Sequence, residues 1–145
     1  MDYGKIKLIN IDTVWDFWTL HDEMVFSGDN THPMKHNREC YLDAFRKGTL
    51  FGLQIQETDS MFRRGARGDD VFAKNKHGHP SFYLLPCLII VEDDGCVCWI
   101  WVHPRIRKMG YGKALVELSK AKHINEMISG SEEFWQKLGI FPKQC

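Results

Sequence analysis

No apolar run in the chain approaches the roughly 20 residues that a membrane-spanning helix requires. The opening residues, MDYGKIKLINID, lack both the basic end and the apolar core of a signal peptide, so a soluble, cytoplasmic protein without a membrane partner is the expectation. Net charge is missing as well: Lys plus Arg and Asp plus Glu each number 19. A dedicated nucleic-acid binder needs a strong basic field, and a balanced chain argues against that class of partner. The cysteines Cys40, Cys87, Cys96, Cys98 and Cys145 are odd in number and lack the Cys-x-x-Cys spacing of a zinc ribbon. Reduced thiols used for packing are therefore expected, with Cys96 and Cys98 sharing one face of a strand. Internal repeats and low-complexity tracts are absent too, which removes solenoids and disordered tails from consideration.

What remains is an ordinary globular composition. At 145 residues the chain has the length of one domain, residues 1–145, and its 43% hydrophobic content with 26% charged residues is enough to bury a core. KIKLINI alternates as a first strand, and Asp12 or Thr13 caps a helix with Val14, Trp15, Phe17, Trp18, His21 and Val25 on its apolar face. A second helix spans HNRECYLDAFRK, with Tyr41, Ala44 and Phe45 on one side and Gly48 as its stop. TLFGLQIQ alternates as a strand. Residues 57–80 are polar, glycine-dotted and without period, a functional flap or an insertion.

The second half is patterned more sharply. FYLLPCLIIVEDDGCVCWIWV reads as two strands joined by a tight Asp-Gly turn, with Pro86 marking a bulge or an edge. A helix over about residues 110–121 carries Ala114, Leu115, Leu118 and Ala121 at helical spacing, INEMI is a short strand, and SGSEEFWQKLG is a last helix capped by Ser131 and stopped by Gly139. Trp15, Trp18, Trp99 and Trp101 fall on apolar faces and are expected in the core.

At the strand-to-helix junction stands Arg107-x-x-Gly110-x-Gly112, with Arg105, Lys108 and Lys113 around it. Helix N-termini present unpaired N–H groups and partial positive charge, and glycines let a phosphate approach them, so such a turn binds anions. The stretch from Val102 to Leu115, VHPRIRKMGYGKAL, resembles the acetyl-CoA-binding signature of the GNAT superfamily of N-acetyltransferases. FWQKLGI, residues 134–140, is similar to the family's Phe-Tyr-x-x-x-Gly-Phe segment on its last helix. The resemblance is carried by residues 82–140, and before that by element order alone.

The resemblance implies an α/β (α+β) fold: a mixed, mostly antiparallel central sheet flanked by about four helices, here with a shortened C-terminal end. It implies acetyl-CoA as cosubstrate, an amine-bearing small molecule or peptide as acceptor, and no metal. Ile100 and Val102 match the positions whose exposed backbone pairs with pantetheine. Arg107, Lys108, Met109, Gly110, Tyr111, Gly112 and Lys113 match the pyrophosphate cradle, with Gly110 and Gly112 lacking a Cβ so that the phosphates fit. Phe134 and Trp135 match positions near the thioester. A lysine-type amine has a pKa near 10.4, so at pH 7 only about one in a few thousand is the neutral nucleophile and a base has to make up the difference. The signature strand offers no carboxylate. His123 is the first candidate for the base, because some peptide Nα-acetylating members carry a histidine there; Glu126 and the turn at residues 92–94 are alternatives, and a surface histidine is the bland one.

Two departures stand out. Trp135 replaces a tyrosine that protonates the departing thiolate in many family members, a role an indole does not fill. Water, Ser129 or Ser131 would then serve a thiolate whose parent thiol has a pKa of about 8.5. The chain also stops six residues after Gly139, short of the family's last strands, which suggests an open sheet edge that a homodimer would complete. These departures keep a second function open: a catalytically silent CoA-binding module used for regulation or assembly. His32, His36, His77 and His79 lack companion ligands at metal spacing, and RRGARG at 63–68 reads as a solvated loop.

Overall fold

The computed structural model describes residues 6–27, 38–56, 82–124 and 132–142. In chain order these form β1 (Ile6–Asn10), α1 (Val14–Phe26), α2 (Arg38–Lys47), β2 (Leu50–Gln56), β3 (Phe82–Val91), β4 (Cys96–Val102), a 3-10 turn (Pro104–Ile106), α3 (Tyr111–Leu118), β5 (His123–Ile124), α4 (Glu132–Lys137) and β6 (Phe141–Pro142). The strands make one six-stranded sheet in chain order. The first four pair antiparallel, while β4 with β5 and β5 with β6 pair parallel, each across two residues. The class is thus α+β with a mixed, mostly antiparallel sheet. Among the described residues no helix is long and apolar enough to cross a membrane.

Each face of the sheet carries its own core. Phe17, Leu20 and Met24 of α1 and Tyr41 and Ala44 of α2 pack on Leu84, Leu88, Ile90 and Trp101. Ala114, Leu115 and Val116 of α3 and Trp135 of α4 pack on Leu85, Cys87, Ile89, Val91 and Val97 on the other side. The strand period of two divides β3 between these layers, odd-numbered residues to α3 and α4, even-numbered ones to α1 and α2. Pro86 sits where β3 has two residues in excess of β2, since Gly52 pairs with Leu88 and Gln54 with Leu84. A proline that donates no ladder bond is tolerated at such a bulge, and an even excess leaves the alternation intact. The Asp-Gly turn forms as expected, with Gly95 at φ 86°.

Local chemistry fixes the helix ends. The Thr13 hydroxyl accepts the Asp16 N–H at 3.2 Å and starts α1. The Tyr41 hydroxyl donates to the Phe17 carbonyl at 2.6 Å while its ring stacks on that of Phe17 at 4.5 Å, which ties α2 to α1. Buried this way, the Tyr41 phenol is pushed well above its ordinary range by desolvation and then by Asp22. α3 ends at Leu118 rather than 121, because Lys120 turns left-handed at φ 59° and the Ala121 N–H closes back on the Val116 carbonyl.

Two expectations fail. Trp15 and Trp18 are not core residues: they are 58% and 51% exposed, because α1 turns Phe17, Leu20 and Met24 to the sheet and so faces the opposite stripe outward. Of the β4 tryptophans, Trp101 is buried and Trp99 half-buried. Cys96 is not a reduced thiol but is disulfide-bonded. Cys87 and Cys98 are free thiols. Spacing along the chain carries no information about which sulfur the fold delivers to Cys96.

Candidate functional site

β3 holds β4 from Val97 to Val102, and among the described residues β5 pairs with β4 through Cys96 with His123 and Val97 with Ile124. Directly after Val97, β4 carries a bulge: Val91 pairs with Val97 and Ile90 with Trp99, so Cys98 is the extra residue. A bulge bends its strand and increases twist. Among the described residues, 98–102 have a strand on the β3 side alone. The extra residue also resets the alternation. Trp99 and Trp101 face the α1 and α2 layer, whereas Ile100 and Val102, both half-buried, face α3 and α4.

The strand then runs into a sharply turned segment. His103 is buried, its N–H bonded to the Pro86 carbonyl at 3.0 Å and its Nδ1 accepting the Arg105 N–H at 3.1 Å. That ring caps the 3-10 turn, and Arg107 leaves it to donate Nε–H to the Val102 carbonyl at 2.9 Å. Lys108 and Gly110 are both left-handed, at φ 66° and 90°. Reversals of this kind bring successive amides onto one concave side. The first helical bond of α3 is Ala114 N–H to the Gly110 carbonyl at 3.0 Å. The amides of Tyr111, Gly112 and Lys113 precede it and have no carbonyl one turn back within the helix.

The sequence-derived cradle residues therefore converge, with two refinements. Arg107, Lys108, Met109 and Gly110 are exposed on the turn, while the Lys113 ammonium lies along α3 at 3.8 Å from the Glu117 carboxylate. A Cβ on Gly110 would meet nothing within 4 Å, but one on Gly112 would stand 3.3 Å from Cζ of Phe134 and 3.8 Å from Cγ2 of Val102. Gly112 thus makes room for the Phe134 ring, which α4 lays over the end of β4. Tyr111 is half-buried beside it, its hydroxyl pushed up by desolvation and then by Cys87. Trp135, expected beside Phe134 near the thioester, is 2% exposed in the core, edge-on to Phe134 at 5.0 Å.

His123, the first candidate base, lies at the other end of β4. His123 is opposite Cys96, six residues before Val102 or roughly 20 Å at about 3.3 Å per residue. Its Nε2 is buried, without a hydrogen-bond partner, and 3.9 Å from Oδ2 of Asp94. Glu126 lies outside the described residues. Glu92 is closer to the bulge: the Cys98 thiol donates to its Oε1 at 3.5 Å. Burial first, and then Glu92, push the Cys98 thiol up to about 12, so it is no thiolate nucleophile at neutral pH.

Two clefts open on the α1 and α2 side. One, of about 350 Å³, lies between α2 and the β3–β4 turn and is lined by Glu39, Cys40, Asp43, Lys47, Ile90 and Glu92. The other, of about 380 Å³, lies at the end of α1 beside His103 and Arg105 and includes Asp22, Glu23 and Phe26. Desolvation, and then Asp22, raise the Glu23 carboxyl above its ordinary value. The acids on α1 and α2 were missed in the sequence, where they read as the polar faces of amphipathic helices; only α2, placed against Glu92 by the fold, makes them walls. Among the described residues no group of three or more His, Cys, Asp or Glu is placed to hold a metal ion. His32, His36, His77, His79 and the 63–68 basic run lie outside the described residues. Compared with models of known protein families, with characterised proteins and with solved structures, the chain matches none of them.

Proposed function

We propose that the chain is a GNAT-like N-acetyltransferase that moves an acetyl group from acetyl-CoA to an amine. The observation that carries this reading is the Cys98 bulge in β4, beyond which residues 98–102 have, among the described residues, a strand on the β3 side alone, followed at once by the left-handed turn and the first amides of α3, which have no acceptor within the helix. The amide-bearing pantetheine arm of CoA needs an extended backbone edge, and its pyrophosphate needs amides and cations one strand-length away. Residues 98–102 supply the edge. The turn at 107–113 supplies the amides, and Arg107 is already held at the junction by the Val102 carbonyl.

The span from Val102 to Cys98 is four residues, roughly 13 Å of strand, so an arm lying along β4 brings its thioester to the bulge. There the cleft beside α2 opens, with Glu39, Asp43 and Glu92 on its walls. Carboxylates attract a protonated amine, and Glu92 is the one placed to accept its proton as nitrogen attacks the acyl carbon and sulfur leaves. The protonated Cys98 thiol favours direct transfer over a covalent acyl-cysteine.

A second reading rests on Trp135, whose burial in the core leaves no phenol at that position. On that reading the chain binds CoA without turning it over. Both predict that acetyl-CoA at hundreds of micromolar raises the melting temperature. Only the enzyme releases free CoA thiol when given acetyl-CoA with polyamines, aminoglycosides, amino acids, peptide N-termini and lysine peptides. Binding without thiol release would select the silent module, and an unmoved melting temperature would remove both.

A further inference from the structure

α1 is apolar on two opposite sides. At about 100° per residue, Val14, Trp15, Trp18, Val25 and Phe26 fall within an arc of about 120°, turned away from Phe17, Leu20 and Met24, which enter the core. These five are 64%, 58%, 51%, 39% and 83% exposed. A helix apolar all round belongs in an interior, and a contiguous exposed apolar patch of several hundred Å² marks an interaction surface.

We propose that this face pairs with the same face of a second copy, the two α1 helices antiparallel about a two-fold axis near residue 20. The residue pattern is self-complementary about that point. Val14 then meets Phe26 of the other copy, Trp15 meets Val25, and Trp18 meets Asp22, the one charged residue within the stripe. An indole N–H donates to a carboxylate, so Asp22, whose Oδ1 already lies 3.1 Å from Nδ1 of His21, gains a second partner as it is covered. The two Asp22 carboxylates are offset by about 6 Å along the helices, so like charge does not face like charge. The stripe runs the length of the 13-residue helix, which suits a shallow crossing near 20° and not a steep one that touches only the middle turn. The three aromatic side chains alone expose on the order of 400 Å² at about 200 Å² each, and with the valines two copies bury about 1,000 Å² in total, the lower bound for a specific interface. This inference stands apart from acetyl transfer, since α1 presents this face whatever the β4 edge binds.

Sedimentation of the full chain at about 100 µM tests it, micromolar affinity being the class expected of so small an interface. The expected result is a concentration-dependent dimer that Trp18→Glu abolishes without lowering the melting temperature, the residue being at the surface. Trp18→Phe keeps the ring and loses the donor, and should weaken the dimer several-fold. For register, Val14→Cys and Phe26→Cys proteins are oxidised separately and mixed: an added disulfide-linked species should arise in the mixture alone. A wild-type protein that stays monomeric overturns the proposal, whether solvent or another part of the chain covers the face. So does a dimer indifferent to Trp18→Glu, or a Val14→Cys protein that cross-links to itself.

Discussion

Gly110 and Gly112 look equivalent in the sequence, but the structure separates what each does. Gly110 is the N-cap of α3 at φ 90°, and an added Cβ would touch nothing within 4 Å. Gly110→Ala therefore adds no clash; it forces an L-residue into the left-handed region, at about 1–2 kcal/mol. For a 145-residue domain this is a fall in melting temperature of about 3–6 °C. Gly112 has ordinary backbone, and its Cβ would stand 3.3 Å from the tip of the Phe134 ring, a half-buried side chain able to move a few tenths of an ångström. A helical glycine replaced by alanine gains about 0.5–1 kcal/mol, which offsets the displaced ring, so Gly112→Ala should melt within about 2 °C of wild type.

Ligand binding adds a second axis. The Gly110 methyl would stand in open space on the turn, where phosphate would approach, whereas the Gly112 methyl points at Phe134. Gly110→Ala should therefore lose most of the acetyl-CoA-induced rise in melting temperature and Gly112→Ala keep most of it. Gly110→Asn is the control, because asparagine tolerates the left-handed region: it should recover stability without recovering binding. Thermal melts by circular dichroism, with and without acetyl-CoA, decide the matter. A Gly110→Ala protein as stable as wild type, or a Gly112→Ala protein that melts well over about 2 °C below it, would refute the assigned roles.

Two further predictions concern the acids. Glu92→Gln should lower kcat by about 10²–10⁴-fold, the usual worth of a general base, while His123→Ala, altered at a residue that pairs with Cys96 and does not line the cleft beside α2, should cost less than tenfold; initial rates of CoA thiol release rank them, and the reverse order would restore His123 as the base. Glu23 tests electrostatics through stability. Its folded-state pKa lies above the ordinary 4.5, so its stabilising contribution is fully present below pH 4.5 and is lost as pH rises through the folded value. Glu23→Gln should thus melt higher than wild type at pH 7–8, with the gap closing near pH 4, and a gap that widens on acidification would contradict the burial argument.

The parts of this fold legible in the sequence are those where a residue type answers a local backbone demand. Gly48, Gly95, Gly110 and Gly139, all anticipated as turns or stops, are all at positive φ. Thr13 caps α1, and the Asp-Gly turn joins β3 to β4. The order of elements up to α4 followed from the same signals, while the mixed, mostly antiparallel sheet was an implication of the resemblance to the GNAT superfamily and β6 was not anticipated. What was illegible depends on partners distant in the chain. Hydropathy shows that α1 carries Trp15 and Trp18 as well as Phe17, Leu20 and Met24, but not which stripe the sheet selects. Nor does the helix register of VWDFWTLHDEMVF state that Tyr41 will reach the Phe17 carbonyl and settle the choice.

The Cys98 bulge is the most consequential feature of that illegible kind. CVCWIWV reads as plain alternation, in which Cys96, Cys98, Ile100 and Val102 would share one side. One extra residue against β3 breaks this: Cys98, Trp99 and Trp101 go with α1 and α2, and Ile100 and Val102 with α3 and α4. A single insertion in register thus turns Ile100 and Val102 toward α3 and α4, and leaves the acid-lined cleft beside α2 on the opposite layer. An acyl donor laid along the edge and an amine drawn into the cleft would then approach from different faces of the sheet, so that neither has to leave for the other to enter. On the proposed reading, direct transfer needs both substrates bound at once, and the register of Cys98 is what would keep their two approaches apart.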